Sequence, residues 1–364
     1  MPNYVDKYWQ KKYPSLKKSI DRREARIAAI LQQAVSKPQL SNTYWNTVRA
    51  AIDREYRGIS RTFNKWAERN IPSAYKSFTI QQNSRIAGLK SVTTPAKKSI
   101  SQLLKTNASQ QIAAVLTADA IADMTSALVQ GNLRISRFTR KTQQSLIAES
   151  LVDRTVINAI SAGNLSVNKI LSRQGTLANS LINQVENGRF ITIIDKNGNP
   201  RNYRASYYAE MVSRTKFHEA QAESTKILAN NYNSDLVRIS NHNTTTEICQ
   251  QYEAKIFSLS GKDKRFPILD QVPPFHVNCL HVMSVTFVET LESTGQLQAF
   301  SDFSRGETDA PPGQNSYVPV KKRNKIINKT ITDTKASDKY KSSTIKQRRA
   351  LLKKNTAAAI AEAA

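Results

Sequence analysis

The hydrophobic pattern of this 364-residue chain changes period at Gly188, and that change limits the fold class more than any other feature. Ahead of it, apolar residues recur every three or four positions, the spacing of a helix with one buried face. Ile20, Ile27, Ile30, Leu31 and Val35 recur this way between Ser19 and Val35, around Arg22, Arg23, Glu24 and Arg26. A second run covers Asn42 to Asn70 and is rich in aromatics and arginine, including Tyr44, Trp45, Tyr56, Phe63 and Trp66. Pro72 is the expected stop, because proline has no N–H to give to the helix. Residues 93–187 also read as helical, with Ile121, Met124 and Leu128 on one stripe. Gly131, Gly163 and Gly188 stand where helices would end.

Beyond Gly188 the signals are those of strands. RFITIIDKNGNPRNY is β-branched, turns at Asn197-Gly198 and resumes, which predicts a hairpin. The segment from Ala205 to Tyr232 reads as a long helix. DLVRIS, the stretch ending at Ser260-Gly261, and HVMSVTFVE read as strands. The expected class is α+β. It comprises a basic helical region 1–92, a helical region 93–187, an α+β domain 188–292, and a Pro/Gly linker with a basic tail over 293–364. The tail is Lys-rich and poor in apolar residues, so it is expected to be flexible on its own and to order only against a partner.

Charge narrows the partners rather than the fold. The net charge is +26, and it is uneven. Residues 1–92 carry 18 Lys/Arg against 6 Asp/Glu, residues 93–320 carry 23 against 19, and residues 321–364 carry 13 against 3. Basic ends on a nearly neutral middle suit a polyanion, most often nucleic acid. The arginine and aromatic side chains of residues 40–70 suit three roles: gripping nucleic acid, packing rings inside with guanidinium groups outside, or meeting a large protein partner. No apolar run is expected to reach the roughly 20 residues of a spanning helix. The N-terminal MPNYVDKYWQKKYP has no apolar core of the kind secretory signals carry, so a reducing cytoplasm is the expected site of synthesis.

All four His and both Cys fall between residues 218 and 281. PPFHVNCLHVM places His276, Cys279 and His281 within six residues, with His242 and Cys249 upstream. These five are the candidate metal ligands, since zinc takes four donors from Cys and His. No Cys-x-x-Cys pair is present, and the alternative is a tight turn pinned by His276 and Asn278 with Cys279 in the core. A third reading pairs Cys279 with a histidine as nucleophile and base, or sees in His-x-Asn a metal-dependent nuclease.

Several pieces stand in a recognisable order: NGNPRNYRASYYAEMVSRT, then DLVRISNHNTTTEICQQYEAKIFSLSG, then PPFHVNCLH. This set resembles the phage head-morphogenesis and minor capsid families, the Mu F-like proteins and related minor capsid proteins of tailed phages. The matching positions are Tyr208, Arg214, Thr215, His242, Thr246, Cys249, Lys255, Phe257, Ser258, His276, Asn278, Cys279 and His281. Val277, Leu280 and Ala254 depart from the pattern, which has Pro, Arg and Gly there. The resemblance implies a non-enzymatic structural protein of the virion, at the portal vertex or capsid interior and in the host cytoplasm during assembly. Its role would lie in assembly, DNA packaging or DNA release. Its implied partners are portal protein, capsid proteins and packaged double-stranded DNA, with no membrane span. Tyr208, Arg214, Thr215 and Asn278 are then structural motif residues; on its helix face Arg214 is expected to anchor the strand–turn backbone of 242–281 or to pair with a carboxylate, and phosphate or nucleotide binding is the functional alternative. Phosphate contacts would come from Lys321, Lys322, Arg323, Lys325, Arg348, Arg349, Lys353 and Lys354. No cofactor is required by such a role, though zinc fits the cluster. A nuclease and a non-viral nucleic-acid-binding protein are the competing readings.

Overall fold

The computed structural model describes residues 4–36, 41–89, 91–161, 191–194, 198–313, 317–341 and 343–363. Helix α1 (Tyr4–Ser36) begins well before the predicted start at Ser19, and Pro14 lies inside it. Trp9, Tyr13, Leu16, Ile20, Ile27 and Leu31 are buried at intervals of three, four or seven residues. Glu24 fills the gap in that stripe and is buried as deeply as its apolar neighbours. Helix α2 (Asn42–Ala87) runs through Pro72, the predicted stop. Burial of Ile71, Ala74 and Tyr75 on both sides of the proline outweighs one lost hydrogen bond. The aromatics of α2 resolve toward packing: Trp45, Tyr56, Phe63 and Trp66 are buried.

Helix α3 (Ile100–Leu104) opens on a capping box in which Ser99 and Gln102 satisfy each other's backbone N–H groups. Helix α4 (Asn107–Ser161) passes through Gly131, the expected stop. One glycine costs a helix only about 1 kcal/mol, and no proline follows it before Ser161, the helix's last residue. Residues Asn107–Gln144 of α4 are long and apolar enough to pass for a membrane span, contrary to the expectation that no run would be. Leu116, Ala120, Met124, Leu128 and Ile135 form a buried stripe along it, as on the core helix of a globular unit. Gly163, Gly188, Asn197 and the helix predicted between Leu165 and Gly188 lie outside the described residues.

The chain forms two compact units. The first comprises residues 7–72 and 115–216. Within it, β1 (Ile191–Ile194) and β2 (Pro200–Tyr203) form the expected antiparallel hairpin, with Ile191 opposite Tyr203 and Ile194 opposite Pro200. Arg134 donates to Asn202 at 2.7 Å and ties α4 to it. Helix α5 (Ala205–Asn231) follows. Its first turn contains no acidic side chain, and Glu24 supplies one from α1. The carboxylate accepts from Ala205 N at 2.6 Å and from Ser206 N and Oγ at 3.4 and 3.1 Å.

The second unit comprises residues 1–6, 73–114 and 217–364. Its sheet has the order β4–β3–β5, all antiparallel, from β3 (Leu236–Ile239), β4 (Ile256–Ser258) and β5 (Met283–Thr286). Val237 in the centre faces Phe257 on one side and Val285 on the other. The short helix α6 (Glu247–Gln250) lies between β3 and β4, and α7 (Val288–Ser293) and α8 (Leu297–Arg305) follow β5. Asp235 pins the loop after β4, accepting from the Ser258 hydroxyl, from Ser260 N at 2.9 Å and Oγ at 2.7 Å, and from Asp263 N at 3.3 Å. Burial raises its pKa, but these donors outweigh burial and hold it below the usual 3.8. A depressed carboxylate contributes its stability above the unfolded pKa and loses it as pH falls through the folded one. Asp235→Asn should therefore cost about 1 kcal/mol at neutral pH, after allowance for solvent screening. In urea melts compared across pH, the gap between wild type and variant should close below about pH 4.

The stretch expected to be flexible is helical instead. Helices α9 (Val320–Ala336), α10 (Asp338–Lys341) and α11 (Ile345–Ala363) form a closed group, with α9 packed on α11. Asn355 on α11 donates to Thr334 on α9 at 3.0 Å, and Thr356 and Ile360 are buried. The apolar residues that hold the tail to the unit lie just before the Lys-rich run, in Tyr317 and Val318, both buried.

Candidate functional site

The His/Cys segments converge in the second unit because β3 and β5 are neighbours. Residues 240–246 leave the end of β3, and residues 273–282 lead into β5. Helix α6 then carries Cys249 toward Cys279. Both thiols are free and buried, with Sγ atoms 3.9 Å apart, in a core that includes Val237, Tyr252, Phe257, Phe275 and Met283. Phe275 stacks on Tyr252 at 4.2 Å.

The turn expected around Asn278 is present. Asn278 takes a left-handed φ of 65°, a conformation asparagine tolerates better than most residues, and Cys279 N donates to the His276 carbonyl at 3.0 Å. His276 Nδ1 donates to the Val277 carbonyl at 2.7 Å, and the ring is part-exposed. His281 is buried, with Nδ1 3.4 Å from Cys279 Sγ and Nε2 3.4 Å from Glu253 Oε1. His242 meets the His281 ring edge-on at 5.0 Å, and its Nε2 is 2.9 Å from Ser240 Oγ. Cys249, His276 and Cys279 bring one ligand atom each to within 4.8 Å of one another. A cavity of about 410 Å³ borders this group, lined by His242, Thr244, His276, His281, Lys353 and Ile360 among others.

Charge here is organised by Glu253. Its carboxylate is fully buried and accepts from His242 N at 2.6 Å, from Thr244 N at 3.0 Å and from Arg323. Burial pushes its pKa up, but His281 and Arg323 outweigh burial and keep it low. Burial works against charge on His281 as well, yet Cys279 and Glu253 raise it to about 9. The Cys249 contact and then His281 pull the Cys279 thiol well down despite burial, while Cys249 is pushed up as the donor of the pair. Burial and the neighbouring His281 lower His242. Cys279 Sγ thus lies between Cys249 Sγ at 3.9 Å and His281 Nδ1 at 3.4 Å.

The family model of phage minor capsid protein 2 matches residues 73–354. This chain is a member of that phage minor capsid family. Comparison with curated proteins and with solved structures finds no match. The family match of this minor capsid protein reaches well beyond 188–292 on both sides, into α2 and through about half of α11, and it spans the whole cluster. A minor capsid protein is a virion component, as the sequence resemblance implied.

The remaining predicted residues are dispersed. Tyr208 is half-buried on α5, its pKa raised to about 12 by burial and then by Asp123. Arg214, expected to anchor the 242–281 turn, holds its guanidinium 5.8 Å from the Trp9 ring, with Thr215 half-buried beside it. What pins that region is Arg323, expected instead at phosphate, together with Glu253 and Gln221, which no sequence motif singled out. Gln221 donates to the Met283 carbonyl at 2.6 Å and accepts from Met283 N at 3.1 Å. Ala254 replaces the family glycine yet keeps the turn, with φ 65° and its methyl buried beside Phe303 and Tyr317. Of the eight expected phosphate contacts, Lys321, Lys322, Lys325, Arg349, Lys353 and Lys354 are exposed. Arg348 is half-buried over the Tyr340 ring at 5.2 Å. Arg323 is a correction: it is wholly buried, and its guanidinium is committed to Glu253, Thr244 O and Val318 O.

Proposed function

We propose that this protein is a structural, non-catalytic component of the phage head, placed at the portal vertex or capsid interior. There it assists assembly, DNA packaging or DNA release and meets packaged DNA through phosphate contacts that ignore sequence. The observation that supports this most is charge on a folded scaffold. Helices α9 and α11 carry Lys321, Lys322, Lys325, Lys353 and Lys354 to solvent, within a chain of net charge +26 that belongs to a minor capsid family. Exposed cations on rigid helices attract a polyanion by releasing its counterions.

The test is the salt dependence of duplex binding by the full chain. Changing these five lysines to Gln should flatten the plot of log K against log salt by roughly one unit per lost phosphate contact. An unchanged slope would remove these helices from the DNA-facing surface. Cross-linking in assembled heads should recover portal protein, and recovery of shell protein alone would place the chain away from the portal.

A further inference from the structure

We infer that Cys249, Cys279, His276 and His281 form a structural zinc site of the Cys2His2 kind. Four donors around zinc, with Zn–S near 2.3 Å and Zn–N near 2.0–2.1 Å, place two sulfurs about 3.8 Å apart and a sulfur and a nitrogen about 3.5 Å apart. Cys249 Sγ and Cys279 Sγ are 3.9 Å apart, and Cys279 Sγ and His281 Nδ1 are 3.4 Å apart. His276 brings a ring nitrogen within 4.8 Å of both sulfurs, up to about 1.3 Å wider than a filled zinc shell, and His281 joins this three-residue group through Cys279. His276 is also the donor with room to close, being part-exposed on a turn.

The outer partners support the same assignment. A zinc-bound histidine gives its other ring N–H to a carboxylate or carbonyl, which orients the ring and fixes the tautomer. Both candidates have such a partner. His281 Nε2 faces the Glu253 carboxylate, leaving Nδ1 toward Cys279. His276 Nδ1 donates to the Val277 carbonyl, leaving Nε2 as the ligand nitrogen. Glu253 is itself held by Arg323 and by two backbone N–H groups, so His281 is supported by a rigid neighbour. His242, the fifth candidate, is left outside the set: it meets Ser240 Oγ and the edge of the His281 ring, whereas His281 reaches Cys279 Sγ directly. The cavity bordering His276 and His281 gives the ion a route to the donors. The four ligands come from α6 and from the loop before β5, so the metal would cross-link segments 30 residues apart in sequence.

The full chain, purified and kept reduced, should hold about one zinc per molecule by elemental analysis. Reconstitution with cobalt(II) should give the intense visible bands of a four-coordinate ion and a thiolate charge-transfer band. Cys279→Ser should abolish binding. His276→Ala, at a part-exposed position where folding is not at risk, should weaken zinc by more than the roughly 100-fold that loss of an outer partner costs. His242→Ala should retain the metal. Absence of zinc after reconstitution, a six-coordinate cobalt spectrum, an unreduced Cys249–Cys279 disulfide, or full affinity in His276→Ala would each overturn the assignment.

Discussion

Replacing Arg323 by Met should destabilise the second unit by about 3–5 kcal/mol, the cost of leaving one member of a buried ion pair alone. Both partners are wholly buried. Without the guanidinium, Glu253 keeps its backbone donors and the His281 ring 3.4 Å away but loses its permanently charged partner. The carbonyls of Thr244 and Val318, which accept from Arg323 at 2.7 Å each, lose a donor as well. Glu253→Gln should cost a similar amount for the reverse reason. The double variant Glu253→Gln/Arg323→Met should recover part of the loss, because no charge is then buried unpaired. Urea denaturation of the three variants measures this. Additive costs would show that the two residues act independently and that the pair does not organise the unit.

The second large effect is expected at Glu24. Glu24→Ala should cost the first unit about 2–4 kcal/mol, because the Ala205 and Ser206 donors stay buried and a cavity opens in the α1 stripe. Glu24→Gln retains an acceptor oxygen and should cost less. The two also differ in pH response. Burial, the largest influence, lifts Glu24 above its usual 4.5 despite the donors from Ala205 and Ser206 and the charge of Arg204. A carboxyl whose folded pKa is raised binds its proton first in the native state, so its contribution to stability grows as pH falls toward and below the folded pKa. Glu24→Gln should lack that slope. A wild type and a Gln variant with parallel stability curves between pH 7 and pH 4 would show that Glu24 is not perturbed in this sense.

The α+β class was legible because it depends on local period. Residues 191–203 alternate and turn, and Ala205 to Tyr232 keeps helical spacing, so the hairpin and α5 need no knowledge of the rest of the chain. Pro72 and Gly131 misled for a related reason. Local rules assign each a cost of a few kcal/mol at most, and burial over a long helix exceeds it. The tail misled because its own composition is polar. Its order depends on α9 packing with α11 and on Tyr317, Val318 and Arg323 reaching back to Asn243, Thr244 and Glu253. The His/Cys cluster was visible because its members are rare and close in sequence. Glu253 and Arg323 were not, since a single acid and a single base 70 residues apart carry no pattern that names them as partners. Glu24 did leave a trace: a carboxylate at the one gap in an otherwise apolar helical stripe.

Neither compact unit is drawn from one continuous stretch of chain, and each passage between them, at 6/7, 72/73, 114/115 and 216/217, falls inside a helix. The second unit therefore draws on three separate segments, residues 1–6, 73–114 and 217–364. Its buried ion pair joins Glu253 to Arg323, 70 positions further along the chain, so translation must pass Arg323 before that pair can close. A prematurely terminated product would present Glu253 without its partner, together with the apolar surface that Tyr317, Val318 and Ile360 otherwise cover.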